Sequence, residues 1–355
     1  MIREIFRQLM KDKFAKIALI VLGIIYFALF FADFIAPYTK DFSDRTMAYV
    51  PPSKIFVIDE NGKYSKPYTY NYTRSFDNEN LRIVYNLDRS QKHYVKFFAK
   101  GQSYKFLGII PASRHLVTTD SDGRLFLLGT DINGRDVFSR LLFGGRISMT
   151  IGFLALFVLF PIGLLYGGIA GYFGGIVDTL MMRFAEAIMS IPSFYLLIIL
   201  ASILPAGMTS VQRFILIVVI LAMIGWAGFA RVVRGMVLSI KNQEFVQAAK
   251  SIGASRLRII VKHILPQTAS FVIVAMTLSV PSYILSESGL SFLGLGIQQP
   301  DASWGNMLKE AQEYTNIIYR PWLLTPGFLI FIAVLAFNLI GDTIRDVLDP
   351  KSKVR

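Results

Sequence analysis

The sequence predicts an all-α polytopic membrane protein with six transmembrane helices and a small β-rich insert between the first two. The chain of 355 residues is 54% hydrophobic and has a mean hydropathy of +0.50, which is more apolar than a soluble domain of this size. Six apolar runs approach the length of about twenty residues that crosses a bilayer as a helix. A polar segment at 38–140 separates the first run from the others.

The apolar runs define the predicted spans. The first run follows a basic stretch, as a secretory signal would, but the segment from Phe34 to Pro37 indicates a helix end with a proline stop. We therefore expect an uncleaved anchor. In chain order the predicted spans are Ile17–Ala36, Ile147–Ala170, Ala187–Leu204, Phe214–Ala230, Thr268–Leu285 and Trp322–Ile340.

The distribution of basic residues predicts the orientation in the membrane. Lysine and arginine are enriched in cytoplasmic loops, and here they cluster before the first span, between spans four and five, and after the last span. An even number of spans places both termini on one side, so we expect both in the cytoplasm. The basic residues are Arg3, Arg7, Lys11, Lys13 and Lys16, then Arg231, Arg234, Lys241, Lys250, Arg256, Arg258 and Lys262, then Arg345, Lys351, Lys353 and Arg355.

The insert is predicted to be extracytoplasmic and rich in β-structure. Short β-type runs alternate there with turn signals, and these runs are KIFVID, LRIVYN, HYVKFF, YKFLGII and RLFLL. The predicted organisation is 1–37 for the cytoplasmic N-terminus and first anchor, 38–140 for the insert, 141–345 for a five-helix core with a cytoplasmic loop at 235–266, and 346–355 for a cytoplasmic tail.

Several chemistries are excluded by what the sequence lacks. It has no cysteine, and His93, His115 and His263 are scattered, so we expect neither disulfides nor a metal site. No phosphate-binding G-x-x-x-x-G-K-[ST] loop and no catalytic triad pattern occurs. The chain is therefore predicted not to be an enzyme and to hold no cofactor, and energy for active transport must come from a partner. The net charge of +13 is explained by the basic loops, so no nucleic-acid partner is expected.

Few ionisable residues fall near the predicted spans. Asp33 is expected at the membrane interface, and Glu186 follows Arg183 by three residues, a spacing that allows an ion pair on one helix face. Glu287, near the outer end of span five, is a candidate contact for a passing substrate. Small residues on span two predict close helix packing, and they are Gly163, Gly167, Gly168 and Gly171.

The segment 244–267, EFVQAAKSIGASRLRIIVKHILPQ, lies between spans four and five. Gly253 suits a helix C-terminus, and Ser255 can cap the helix that follows. The spacing predicts a helix–turn–helix with a basic rim, which suits either docking into a groove of another protein or resting on anionic lipid. The predicted apolar stripes are Phe245, Val246, Ala249 and Ile252 before the turn, and Leu257, Ile260, Val261 and Ile264 after it.

This segment resembles the "EAA" loop of ABC importer permeases, whose pattern is E-A-A-x3-G-x9-I-x-L-P. Ala248, Ala249, Gly253, Leu265 and Pro266 match the pattern, whereas Gln247 and His263 depart from it. Four further segments resemble dipeptide and oligopeptide permeases of the C-subunit type. They are LGTDINGRDVFSRLLFGGRIS (128–148), GYFGGIVD (171–178), LSFLGLGIQQP (290–300, followed by Trp304-Gly305-Asn306) and GDTIRDVLDP (341–350). The likeness covers nearly all of the chain except about residues 45–125.

The resemblance implies a type I ABC importer core that moves peptides across the inner membrane. It implies a homologous B-type permease subunit as the other half of the pathway, two ATPase subunits that hold ATP and Mg, and an extracytoplasmic peptide-binding protein. The loop would couple to an ATPase, and ATP-driven closure would rock the spans. The coupling residues implied are Glu244, Gln247, Ala248, Ala249, Gly253, Leu265 and Pro266.

Other functions remain open at the level of sequence. The same permease type serves importers of nickel, opines or modified peptides. A self-contained secondary carrier is a candidate from another class, although the spans lack acids at mid-depth. A membrane sensor that uses the insert would need an output domain that the sequence does not contain.

Overall fold

A computed structural model describes residues 2–59, 62–78, 82–120, 122–205 and 207–348. The chain divides into two compact units, one made of residues 1–22, 149–296 and 330–355, the other of residues 23–148 and 297–329. Most of the predicted tail at 346–355 lies outside the described residues, together with Lys351, Lys353 and Arg355.

Helices dominate the structure. Within the described residues, five helices are long and apolar enough to cross a membrane, or six if one bent pair counts as a span, which confirms a mainly helical polytopic protein. The helices are α1 Ile2–Lys11, α2 Lys13–Phe30, α3 Ala32–Ile35, α4 Val137–Phe173, α5 Gly175–Met189, α6 Ser193–Ser202, α7 Ser210–Ile240, α8 Glu244–Ser251, α9 Arg256–Arg258, α10 Ala269–Phe292, α11 Trp304–Leu308, α12 Tyr314–Tyr319 and α13 Thr325–Leu348.

The third predicted span, Ala187–Leu204, is wrong as a single helix. Helices α5 and α6 meet there at a bend of 77°. Pro192 is the N-cap residue of α6, and it has no N–H with which to continue α5. The residue before a proline is also restricted away from helical geometry, so the break falls where the sequence requires it. Pro161, by contrast, lies inside α4 without ending it.

The first predicted span, Ile17–Ala36, is wrong at its end, because α2 stops at Phe30 and Ala32–Ile35 forms the separate short helix α3. The second, fourth, fifth and sixth predicted spans are each shorter than the helical stretch in which they lie. The fourth, Phe214–Ala230, lies within α7, and the fifth, Thr268–Leu285, lies within a helical stretch that runs from Arg256 to Phe292. Polar residues at a helix end continue the backbone hydrogen bonds although they interrupt an apolar run. An apolar run therefore marks the part of a helix that suits lipid, not its full length.

The insert is β-rich, as predicted, but its strands differ from the predicted runs. Strands β1 Phe56–Ile58, β2 Tyr64–Asp77 and β3 Arg82–Tyr94 form an antiparallel sheet, and β4 Lys96–Phe106 and β5 Ile110–Thr118 form a two-stranded ribbon. None of the predicted β-type runs covers β2, whose buried side chains are tyrosines and not aliphatic residues. YKFLGII contains the turn of the ribbon, where Leu107 and Gly108 have positive φ. RLFLL forms no strand, because Leu125 and Phe126 are buried in a loop.

Candidate functional site

The segment from 244 to 266, called the helix pair below, has the predicted turn at Gly253. The N–H of Gly253 donates to the carbonyl of Lys250 at 3.0 Å, and the N–H of Ala254 donates to that of Ala249 at 3.1 Å. This is the Schellman arrangement that ends a helix, and it requires the positive φ of 79° found at Gly253. Ser255 occupies the N-cap position of α9, but its side chain makes no capping bond.

The helix pair has a buried side and an exposed side. Val246 and Ala249 of α8 pack with Ile259 and Ile264 of the next helical turns against α7. The apolar residues of the opposite side lie exposed, with Ile252 at 83% and Leu257 at 61% of full exposure. The predicted stripes are therefore wrong in part. The exposed members of those stripes are Phe245, Ile252, Leu257 and Val261.

The predicted coupling residues divide in the same way. Ala249 is buried and Leu265 is half-buried. The helix continues beyond the pair through a π turn at Ile259–Ile264 and a 3-10 turn at Leu265–Thr268 into α10, so Pro266 does not break it. The exposed coupling residues are Glu244, Gln247, Ala248, Gly253 and Pro266.

Gly167 and Gly168 of α4 lie against α7 and the buried side of the helix pair, and this contact region is called the base below. A Cβ atom added to Gly167 would lie 2.3 Å from the carbonyl oxygen of Ala230 in α7. One added to Gly168 would lie 3.0 Å from the side chain of Ile260. Helix α4 therefore meets the backbone of α7 directly and contacts the side chain of Ile260 in the helix pair, which confirms the close packing predicted from the glycines.

The substitution Gly167→Ala should destabilise this base. Its methyl group meets backbone atoms that cannot move aside, and overpacking of this kind costs about 1–3 kcal/mol. The matched control is Gly235→Ala in α7, where a Cβ atom meets nothing within 4 Å. Thermal unfolding of the purified protein in detergent should show a lower midpoint for Gly167→Ala only. Equal midpoints for the two variants would contradict the close contact.

An ion pair joins α5 to α7 beside this base. Arg234 Nε lies 2.9 and 3.2 Å from the two carboxylate oxygens of Asp178. Lys241 Nζ donates to the carbonyl of Gly171 at 2.9 Å. The sequence alone identifies Arg234 and Lys241 only as basic residues of a cytoplasmic loop, and it contains no signal that pairs Asp178 with either of them. The basic residues left on the exposed rim of the helix pair are Lys250, Arg256, Arg258 and Lys262.

A second cluster of charges is buried in the other compact unit. Arg135 Nε lies 2.6 Å from Asp131 Oδ2, and its guanidinium lies 3.7 Å from Glu310 Oε1. Arg140 donates to the carbonyl of Pro300 at 3.1 Å. Two segments that the sequence singled out, 128–148 and 290–300, thus meet here. Burial, followed by the charge of Asp131, raises the pKa of the Glu310 carboxyl to about 7.

The acids flagged in the spans take two different roles. Arg183 and Glu186 form the predicted ion pair at 3.2 Å. Glu287 is fully buried, and the hydroxyl of Ser291 donates to its Oε1 at 2.7 Å. In this conformation Glu287 therefore has no exposed surface on the chain.

Long apolar helices with a short helix pair between two of them indicate a polytopic membrane protein. The family model described as "binding-protein-dependent transport system inner membrane component" matches residues 163–354, which is more than half of the chain. A model of the N-terminal transmembrane domain of oligopeptide transport permease C matches residues 1–52. The chain belongs to this family of inner-membrane permeases, as the sequence motifs indicated.

Curated relatives agree with this assignment. The dipeptide transport system permease protein of Bacillus subtilis is 47% identical over 63% of this chain and 68% of its own length. The oligopeptide transport system permease protein of Haemophilus influenzae is 45% identical over 63% and 70%. The glutathione transport system permease protein of Escherichia coli O6:K15:H31 is 42% identical over 63% and 72%. The chain is a permease subunit of an ABC importer and not an enzyme.

Proposed function

We propose that this chain is the C-type permease subunit of an ATP-driven importer that moves peptides across the cytoplasmic membrane. The dipeptide and oligopeptide permeases among its relatives support the solute class. It would form a type I core with a homologous B-type permease subunit, and an extracytoplasmic binding protein would deliver the peptide. The bent pair α5–α6 would count as the third of six spans, with both termini in the cytoplasm and the insert outside.

The exposed apolar side of the helix pair is the feature that best supports a role in coupling to the ATPases. Ile252 and Leu257 are large apolar residues that this chain leaves uncovered, and a basic rim surrounds them. Exposed apolar patches with polar rims mark interaction sites. The buried side is fixed to α4 and α7, so a partner bound at the exposed side would move these helices with it. Two ATPase subunits that hold ATP and Mg would bind in this way, one on each permease.

The turn at Gly253 gives a direct test of coupling. Gly253→Val should lower peptide uptake about tenfold or more, because a β-branched residue at positive φ costs on the order of 1–3 kcal/mol and reorients the exposed side. ATP hydrolysis and membrane insertion should persist. Gly62→Val is the matched control, since Gly62 has a φ of 75° in the insert and open space around it. Normal uptake by Gly253→Val would contradict the coupling role.

The solute can be tested separately. Uptake of defined di- and oligopeptides should be lost in a deletion strain and restored by this chain together with its partners. A modified peptide is the second candidate, because one relative is a glutathione transport permease. Restored growth on glutathione alone would favour that candidate, and restored nickel or opine uptake would favour the other importers. A purified complex that transports without ATPases would identify a secondary carrier instead.

A further inference from the structure

The ribbon of β4 and β5 turns an apolar face toward the end of the first span. In the ribbon Tyr104 pairs with Ala112, and Phe106 pairs with Ile110. A groove of about 570 Å³ separates this face from the helical segment, and almost all of its lining is apolar. The groove is lined by Phe27, Phe31, Phe34, Ile35, Tyr104, Phe106, Ile110, Ala112 and Leu116.

The ribbon contacts the helical segment 30–36 at several points along its length. His115 Nδ1 lies 2.6 Å from the carbonyl of Ala36. Nearer the turn of the ribbon, the N–H of Leu107 donates to Asp33 Oδ2 at 3.2 Å. The ring of Phe106 lies 5.9 Å from that of Phe30, which is the last residue of the span. Six residues of helix, from Ala36 to Phe30, correspond to a rise of about 9 Å. Because Phe30 is the end nearer the middle of the span, the turn of the ribbon is its part nearest the membrane interior.

The turn itself is apolar and exposed. Ile109 is exposed to 80% and Ile110 to 60%, although turns normally carry glycine and polar residues. Phe27 and Phe30 of the apolar first span are also exposed, and an exposed apolar side of a span is the side that suits lipid. The apolar surface of the span therefore continues onto the ribbon. A patch that continues a lipid-facing surface fits acyl chains.

The backbone of the turn can enter an apolar layer at low cost. An unpaired peptide group in hydrocarbon costs several kcal/mol, of the order of a lost hydrogen bond in an apolar medium. The N–H of Gly108 donates to Lys105 and that of Ile109 donates to Phe106, both at 3.0 Å, while Asp33 accepts from Leu107. Lys105 is exposed beside the turn, where its ammonium group can reach lipid phosphates.

We propose that the turn of this ribbon is inserted into the membrane leaflet on the insert side, which is the outer leaflet in the proposed orientation, and that a lipid acyl chain fills the groove. The ribbon thereby anchors the insert at the lipid surface beside the first span. Both family models, at 1–52 and 163–354, leave the ribbon unmatched. The inference does not depend on which solute is carried.

The absence of cysteine from the chain allows a direct test of the turn. Ile109→Cys would be labelled with a nitrobenzoxadiazole fluorophore in the full-length protein, assembled with its partners in phosphatidylcholine–phosphatidylglycerol vesicles. Its emission should shift to the blue, lose most of its intensity to doxyl-labelled lipid and resist aqueous iodide. Tyr64→Cys is the matched control, because Tyr64 is a large side chain of strand β2, in the other sheet, and is 91% exposed. Its label should be quenched by iodide and not by doxyl lipid.

Three outcomes would overturn the proposal. A label at Ile109→Cys that iodide quenches would place the turn in water, and one shielded from both quenchers would indicate a protein partner. The groove is tested by Ala112→Cys, whose label should also be quenched by doxyl lipid; quenching by iodide there would show a water-filled groove. If peptide uptake persists while either label reports water, the inference fails and the proposed transport function stands.

Discussion

Replacing Ile252 with aspartate should abolish binding of the ATPase subunits and reduce peptide uptake to background. Ile252 is the most exposed of the large apolar residues on the helix pair, so its substitution leaves the buried side of the pair intact. If an ATPase groove covers this position, the carboxylate would be desolvated without a partner. Burial of an unpaired charge costs several kcal/mol, and about 1.4 kcal/mol suffices for a tenfold loss of affinity. Co-purification of tagged permease with the ATPases measures the loss directly.

The control for Ile252→Asp is Gln243→Asp. It adds the same charge directly before the helix pair, at the N-cap position of α8, where aspartate is a favourable residue. This variant should keep its ATPases and its uptake. Loss of binding in both variants would show that charge alone is responsible, and binding retained by Ile252→Asp would remove the exposed side of the helix pair from the interface.

The protein should be less stable at pH 8 than at pH 5.5 because of its buried charge cluster. Burial raises the pKa of Glu310 to about 7, and it does the same for Asp136, a fully buried neighbour of Arg135 in the chain that accepts hydrogen bonds from Ser139. An acid whose pKa is higher in the folded than in the unfolded state binds its proton more tightly when folded. Stability therefore falls as the pH rises from about 4.5 to 7, where the unfolded chain has already lost the proton.

The substitution Glu310→Gln should remove part of this dependence. Glutamine can still accept the hydrogen bond that the N–H of Ile132 donates to Glu310. We expect the variant to be more stable than the parent protein at both pH values, with a gain about 2 kcal/mol larger at pH 8 than at pH 5.5, and the remaining slope due to Asp136. Thermal unfolding in detergent across this range measures it. Glu313→Gln, at a nearby exposed acid, is the control. An unchanged pH profile in Glu310→Gln would contradict the assignment.

Local rules predicted the parts of the site that depend on neighbouring residues. Gly253 marks the turn because a Schellman motif needs a residue that accepts positive φ, and the glycines of α4 marked a close helix contact. Which side of the helix pair faces the rest of the chain could not be predicted in this way. Both sides of α8 carry apolar residues, so hydrophobic spacing alone could not tell that Val246 faces inward and Ile252 outward.

Contacts between residues that lie far apart along the chain could not be predicted from the sequence. Asp178 and Arg234 are 56 positions apart, and a single sequence contains no signal that pairs them. The same applies to Arg135 and Glu310, of which only Arg135 lies in a segment that the sequence singles out. Strand β2 was missed for a different reason, because its tyrosines and threonines have strand propensity without the aliphatic alternation that we sought.

The backbone contact of Gly167 in α4 with Ala230 in α7 also sets a mechanical property of this helix pairing. Side chains that interlock leave rotamer freedom, and a small displacement on one helix can be absorbed before it reaches the next. Backbone packed on backbone has no such slack. A movement of α7 would therefore pass to α4 at this contact with little loss, so the two helices would move together when a partner displaces the helix pair packed on them.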